Sequence, residues 1–256
     1  MKSLIAFTKK EITAQLRSAK FVILIVLFVI FAILNPVTAK VTPLLLELLS
    51  ESMAESGMNI TIAEVSVLDS WMQFFSNVPM LLLAFVMMEG NIFTREYGTG
   101  TLILSLTKGL DRYKVVASKS FILVVFWTLI YWLHFAVNYF TNMFFWDDLT
   151  TKNLGFAAVS FWLFGLFTIS LVVLFSTMIN SYIGVLGCTG GVVFGLTFLS
   201  IIPKVSDYFP TILQDGISLV YGMVEVKTYI PAVIISIAVT ILCFVASVPL
   251  FNKKQL

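Results

Sequence analysis

The sequence predicts an all-α membrane protein: six transmembrane helices, both termini cytoplasmic, and an amphipathic helix on the membrane surface ahead of the first span. Three observations predict it. Apolar residues make up 59% of the 256 residues and charged residues 12%, and the mean hydropathy is +0.99. A soluble domain carries about 45–50% apolar and about 25% charged residues. Six apolar runs, at 21–39, 71–93, 117–140, 156–178, 183–202 and 229–251, are each long enough to cross ~30 Å of hydrocarbon as helix. Finally, the basic residues are partitioned between the two sides those runs define.

That partition sets the orientation. The N-terminal tail carries Lys2, Lys9, Lys10, Arg17 and Lys20; the stretch after the second run carries Arg95, Lys108, Arg112, Lys114 and Lys119; the C-terminus carries Lys253 and Lys254. Twelve of the sixteen lysines and arginines thus share one side. Lys40, Lys152, Lys204 and Lys227 lie on the other, among most of the acidic residues. The positive-inside rule makes the first side cytoplasmic, and only an even number of spans satisfies it. A cleaved signal peptide fits less well, because about twenty mostly polar residues precede the first apolar run.

Residues 1–20 are too polar to span. Leu4, Ile5, Ile12 and Leu16 can share one side of a helix, while Lys9, Lys10 and Arg17 fall elsewhere. This pattern predicts an amphipathic interfacial helix, the alternative being a plain basic tail. The outer segment 40–70 is acidic and begins helical, with Gly57–Asn59 as its expected stop. The outer segment 203–228 alternates apolar residues with breakers at Pro210, Gly216 and Gly222. Short helices reaching partway into the membrane are expected there, tolerated only where protein or a wet cavity covers their backbone.

Several chemistries find no apparatus. There is no G-x-x-x-x-G-K-[ST] phosphate loop, no G-x-S-x-G and no H-E-x-x-H, so neither nucleotide binding by that loop nor these hydrolytic mechanisms is expected of this chain. One histidine and two distant cysteines build no metal site. Cys188 and Cys243 both lie in apolar runs and read as small buried residues. No nucleic-acid partner is expected. His134, in the third run, could relay protons, but an interhelical hydrogen bond accounts for it better. Glu89 is the one carboxylate inside a run. It could serve a gate or bind a cation; a partner among nearby lysines or arginines is the simpler account.

The fifth run carries Gly187, Gly191 and Gly195 at four-residue spacing. Such a small-residue ridge lets another helix approach closely, within the chain or across a dimer.

The polar stretch 95–119 is the least explained. Gly98-Thr99-Gly100-Thr101 precedes an apolar face at Leu102, Ile103, Leu104 and Leu106, and Gly109 is available for a left-handed cap. A short amphipathic helix framed by charges suits docking of a cytoplasmic partner. Glu96-x-Gly98-Thr99, then Leu102, Arg112 and Lys119 seven residues on, resembles the signature of ABC type-2 exporter permeases. That family commonly has proline where this chain has Gly109. The likeness extends to the plan of interfacial helix, six spans, polar loop and broken outer segment.

The resemblance implies a bacterial plasma-membrane permease subunit without its own nucleotide site. Two copies of a separate ABC ATPase would handle ATP and Mg, and a second permease, identical or paralogous, would complete the dimer. Glu96, Gly98, Thr99, Leu102, Arg112 and Lys119 would then couple to the ATPase, and spans two and five would line the exit path. Small permeases of this family export antimicrobial or cytolytic peptides or confer immunity to them. The many aromatics and few intramembrane polar groups fit a hydrophobic or amphipathic peptide better than a small ion. An exporter of lipid or ions and an ion-coupled secondary transporter are the competing readings.

Overall fold

The computed structural model describes residues 2–54, 65–107, 109–202 and 205–254. Every element of regular structure among them is helical. In chain order these are α1 (Lys2–Leu16), α2 (Ala19–Ala54), α3 (Val67–Glu89), α4 (Thr94–Thr99), α5 (Thr101–Thr107), α6 (Arg112–Phe145), α7 (Leu154–Met178), α8 (Tyr182–Leu199), α9 (Gly216–Val220) and α10 (Val226–Lys253). Two 3₁₀ turns, Ser206–Tyr208 and Pro210–Gln214, precede α9. Six helices are long and apolar enough to cross a membrane: α2, α3, α6, α7, α8 and α10.

α7 is the centre of the bundle. Its most apolar window is 72% buried, against 11% for α8. α6 is pinned to it by an aromatic ladder. The Trp127 indole donates to the Trp162 carbonyl at 3.1 Å, and the Tyr131 hydroxyl donates to the Ala158 carbonyl at 2.8 Å. Gly165 makes this approach possible, because a Cβ there would overlap the Trp127 ring. Such interhelical bonds average about 0.6 kcal/mol in a membrane, so the packing of the large rings carries more of the contact.

Two elements run beyond their apolar cores. α2 continues through Pro36 and Pro43 to Ala54, about 54 Å at 1.5 Å per residue. The first half of the outer segment is therefore a direct extension of the first span. Its expected stop at Gly57–Asn59 lies outside the described residues. α6 starts at Arg112, so its first two turns are made of residues that read as loop. A helix can absorb those charges because Lys119 finds buried partners.

The segment after α8 folds into the two 3₁₀ turns and α9, and it packs against α7, α10 and α3. Pro210, Leu213, Gly216, Leu219 and Val220 are buried. Gly216 lies so close to Phe75 that a side chain would collide with the ring. Tyr229, at the start of α10, donates from its hydroxyl to the Asp215 carbonyl at 2.9 Å and fastens the segment. This irregular backbone is thereby covered by protein.

A charged hub at the termini end

α1, the α3–α5 turn, the start of α6 and the end of α10 meet at one end of the bundle, and Lys119 is its centre. The side chain is 1% exposed. Its ammonium donates to Glu11 Oε2 at 2.9 Å and to the Ile92 carbonyl at 3.0 Å. Glu96 Oε2 is 3.1 Å away and completes an ionic triad. The rings of Phe7 and Phe93 each stand 5.9 Å from the ammonium. One cation between two carboxylates leaves a net negative charge, and Lys10, 3.4 Å from the other oxygen of Glu11, offsets it. The triad ties α1, α4 and α6 to the turn that ends α3.

Beside it, Glu89 is 1% exposed and accepts from the Gln15 side-chain amide. Its other oxygen has no hydrogen-bond partner among the described residues. Lys20 does not close an ion pair with it; its ammonium donates to the Met88 carbonyl at 3.0 Å and to Asn91 Oδ1 at 3.1 Å, capping the end of α3. A polar cavity of about 280 Å³ opens between these groups, lined by Lys10, Glu11, Lys20, Arg95, Glu96 and Lys119 among others.

Arg112 stands in a different cluster. Its guanidinium donates to the carbonyls of Phe251 (2.8 Å), Asn252 (3.3 Å) and Lys254 (2.6 Å), closing the C-terminus of α10. Lys254 in turn donates to the carbonyls of Ser176 (3.2 Å) and Ile179 (3.1 Å) at the end of α7. Its ammonium lies 4.1 Å from the centre of the Tyr97 ring, and Tyr97 itself donates to the Ser176 carbonyl at 2.9 Å. Burial pulls the Lys254 amine down to about 8. Cations on the last carbonyls of two helices complement their dipoles.

The remaining residues of the polar stretch divide into anchors and free surface. Leu102 is 1% exposed and anchors α5. Gly98 and Thr99 are exposed, and a Cβ at Gly98 would meet nothing within 4 Å. Thr99 donates to the Arg95 carbonyl at 3.2 Å and pairs with Thr101. Gly100 and Gly109 both have positive φ, +66° and +86°. Proline, fixed near −65°, is incompatible with that backbone at 109, so the turn differs from the proline form that the resemblance leads one to expect.

Three further groups of residues lie away from the hub. The His134 Nδ1 is 2.7 Å from the Phe28 carbonyl, and its ring stacks on Phe74 with centroids 4.7 Å apart. One to two turns further along α6 are Asn138 and Asn142. Asn138 accepts from Asn35 at 3.2 Å, and Asn35 accepts from Asn77 at 2.8 Å. Among the described residues Gly187, Gly191 and Gly195 meet no neighbour; a Cβ at each would have nothing within 4 Å. They lie on α8, the least buried span. On the other side of α8 a groove of about 250 Å³ opens toward α3, lined by Leu82, Leu83, Val86, Leu186, Val193 and Phe164 among others. Thr189 borders it with a buried hydroxyl that has no partner.

Residues 5–219 match the family described as ABC-2 family transporter protein. The chain belongs to this family. No curated protein matches it. The chain is a multi-pass cell-membrane protein and a permease component of an ABC exporter, and ABC-2 permeases associate with an ABC ATPase. Of the residues singled out from the sequence, the structure brings Glu96 and Lys119 together. It separates Arg112 into the α10 cap and leaves Gly98 and Thr99 on the surface. Glu11 was not singled out. It is the one acid in α1, one turn from buried Phe7 on the same helical face, and that placement was the available signal.

Proposed function

We propose that this ABC-2 permease exports an amphipathic peptide, driven by two copies of a separate ATPase that bind ATP and Mg. The termini end faces the cytoplasm, as the distribution of basic residues favours. A second permease, identical or paralogous, completes the dimer, and the uncovered Gly187–Gly191–Gly195 ridge is its contact. The exposed Gly98–Thr99 corner, with α1 beside it, receives the ATPase.

The observation that carries this reading is the Lys119 triad. A push on α4 or α1 reaches α3 and α6 through one buried ammonium rather than through a soft loop. Separating a buried ion pair leaves uncompensated charge and costs about 3–5 kcal/mol, so the four elements move as one body. The α3–α8 groove supports the substrate class: apolar walls with Thr168, Thr189 and Gln214 as sparse polar groups suit one face of an amphipathic helix.

The test is reconstitution with an ABC ATPase that co-purifies with the chain. Charge reversal at Glu96 or at Arg112 is expected to reduce peptide-stimulated ATP hydrolysis while leaving membrane insertion intact. Failure to co-purify with any ATPase, with transport running on an ion gradient alone, would remove the exporter reading. Unchanged transport in both variants would remove those two residues from coupling.

A further inference from the structure

α1 presents two different faces. Phe7 and Glu11 are buried against the bundle, whereas Ile5 and Leu16 are 64% and 50% exposed. At 100° per residue, Ile5, Ile12 and Leu16 form a stripe about 140° around the helix from the buried face, with Lys9 at its rim. Between this stripe and the first turns of α6 lies an open groove of about 690 Å³. Its walls are Leu4, Ile5 and Ile12 on α1 and Ala117 and Phe121 on α6, and Phe121 is 54% exposed. Lys9, Thr8, Thr13 and Ser118 are its polar members.

The charges around the groove are unequal. Lys10 pairs with Glu11, Lys114 with Asp111, and Lys119 with two glutamates. Among the described residues, Lys9 meets no carboxylate. An unneutralised ammonium thus stands at the edge of an open apolar trough, on a helix whose adjacent stripe suits the membrane interface. Thr8 donates to Ser118 across the groove at 2.9 Å, holding its two walls together.

We infer that this groove binds an anionic phospholipid of the leaflet at the termini end. The headgroup phosphate meets Lys9, and an acyl chain lies along Ile5, Ile12, Ala117 and Phe121. Charge complementarity selects the headgroup, and the length and apolarity of the trough select a chain over a soluble anion. The occupant wedges α1 against α6 next to Glu11. The inference is independent of the ATPase reading.

The test uses the purified full chain and native mass spectrometry with phosphatidylglycerol and phosphatidylcholine. One basic residue near an anionic surface corresponds to about a fivefold change in affinity, so Lys9→Gln is expected to weaken phosphatidylglycerol about fivefold and leave phosphatidylcholine unchanged. Arg17→Gln, the same charge change outside the groove, is expected to alter neither. Ala117→Trp fills the trough from an exposed position and is expected to lose both lipids at an unchanged unfolding temperature. Phosphatidylglycerol with a photoreactive acyl chain is expected to label 5–12 or 117–121 in the unaltered protein. Equal losses in Lys9→Gln and Arg17→Gln would reduce the effect to diffuse attraction and overturn the proposal. So would labelling confined to other helices.

Discussion

Replacing Lys119 with methionine is expected to destabilise the protein by about 3–5 kcal/mol, the cost of leaving buried charge without its partner. The magnitude follows from the geometry. Lys119 is 1% exposed, and among the described residues Glu11, at 6%, has no other cation within bonding distance except Lys10 at 3.4 Å. Methionine has nearly the same length and volume, so packing between Phe7 and Phe93 is retained and electrostatics dominates the change. The charge-neutral form, Glu11→Gln and Glu96→Gln with Lys119→Met, is expected to recover most of the loss, because no carboxylate is then stranded. Unfolding in micelles, followed by denaturant titration, measures both. Coupled ATP hydrolysis supplies the second readout: the neutral form should fold yet couple poorly, since the ionic link between α1, α4 and α6 is gone. A loss below about 1 kcal/mol for Lys119→Met would show that water reaches the site and refute the buried triad. Full coupling in the neutral form would refute its mechanical role.

Four further outcomes follow from the same geometry. Lys254 has an amine pulled down to about 8 in the folded protein, below its ordinary value, so the unfolded chain binds more protons between that value and the ordinary one. Stability relative to Lys254→Met should therefore rise as pH increases from 8 toward 10, and a pH-independent difference in unfolding temperature would refute the burial; the neutral amine keeps two N–H groups for the Ser176 and Ile179 carbonyls. Gly109→Ala should cost about 1–2 kcal/mol for the left-handed backbone, and Gly109→Pro more, both read by unfolding; a neutral proline variant would mean the turn has a second form. Gly165→Ala should destabilise by about 1–3 kcal/mol through overpacking on Trp127, checked by unfolding and by indole fluorescence. Gly191→Trp should leave monomer stability unchanged, since nothing lies within 4 Å of the added Cβ, and should weaken self-association measured by light scattering; an unaltered association constant would move the dimer contact elsewhere.

The spans were legible because the membrane makes composition decisive: about twenty apolar residues can satisfy their backbone in hydrocarbon only as helix. Where helices end was less legible, for a reason visible at Lys119. Arg112, Lys114 and Lys119 read as loop charges because an isolated lysine does not enter an apolar bundle. Here the lysine enters because Glu11, more than a hundred positions earlier, comes with it. Pairings of that range leave no local pattern. α2 is a second case: its apolar run ends at 39, yet the helix continues through Pro36 and Pro43 to Ala54.

The site divides along the same line. Glu96, Arg112 and Lys119 were legible as members of one motif, but the motif says neither that Glu96 and Lys119 pair nor that Arg112 belongs to a separate cap. That distinction depends on Phe251 and Lys254, which close the chain at the far end of the sequence. The asparagines are the harder case. Asn35, Asn77 and Asn138 lie in three different apolar runs, where scattered amides carry little signal. They matter because three helices bring them together, and a buried amide must find donors and acceptors or strand them. Asn35 accepts from Asn77 and donates to Asn138, whereas neither polar atom of the Asn142 side chain finds a partner. The bundle thus carries a neutral, incompletely paired polar column in one half and a charge-paired hub at the termini end. Amides can exchange partners at small cost, about 1 kcal/mol per bond. A buried ion pair cannot, because each partner stabilises the other's charge. On the proposed coupling, a force arriving at the termini end would move the hub as a unit and find its give in the amide column.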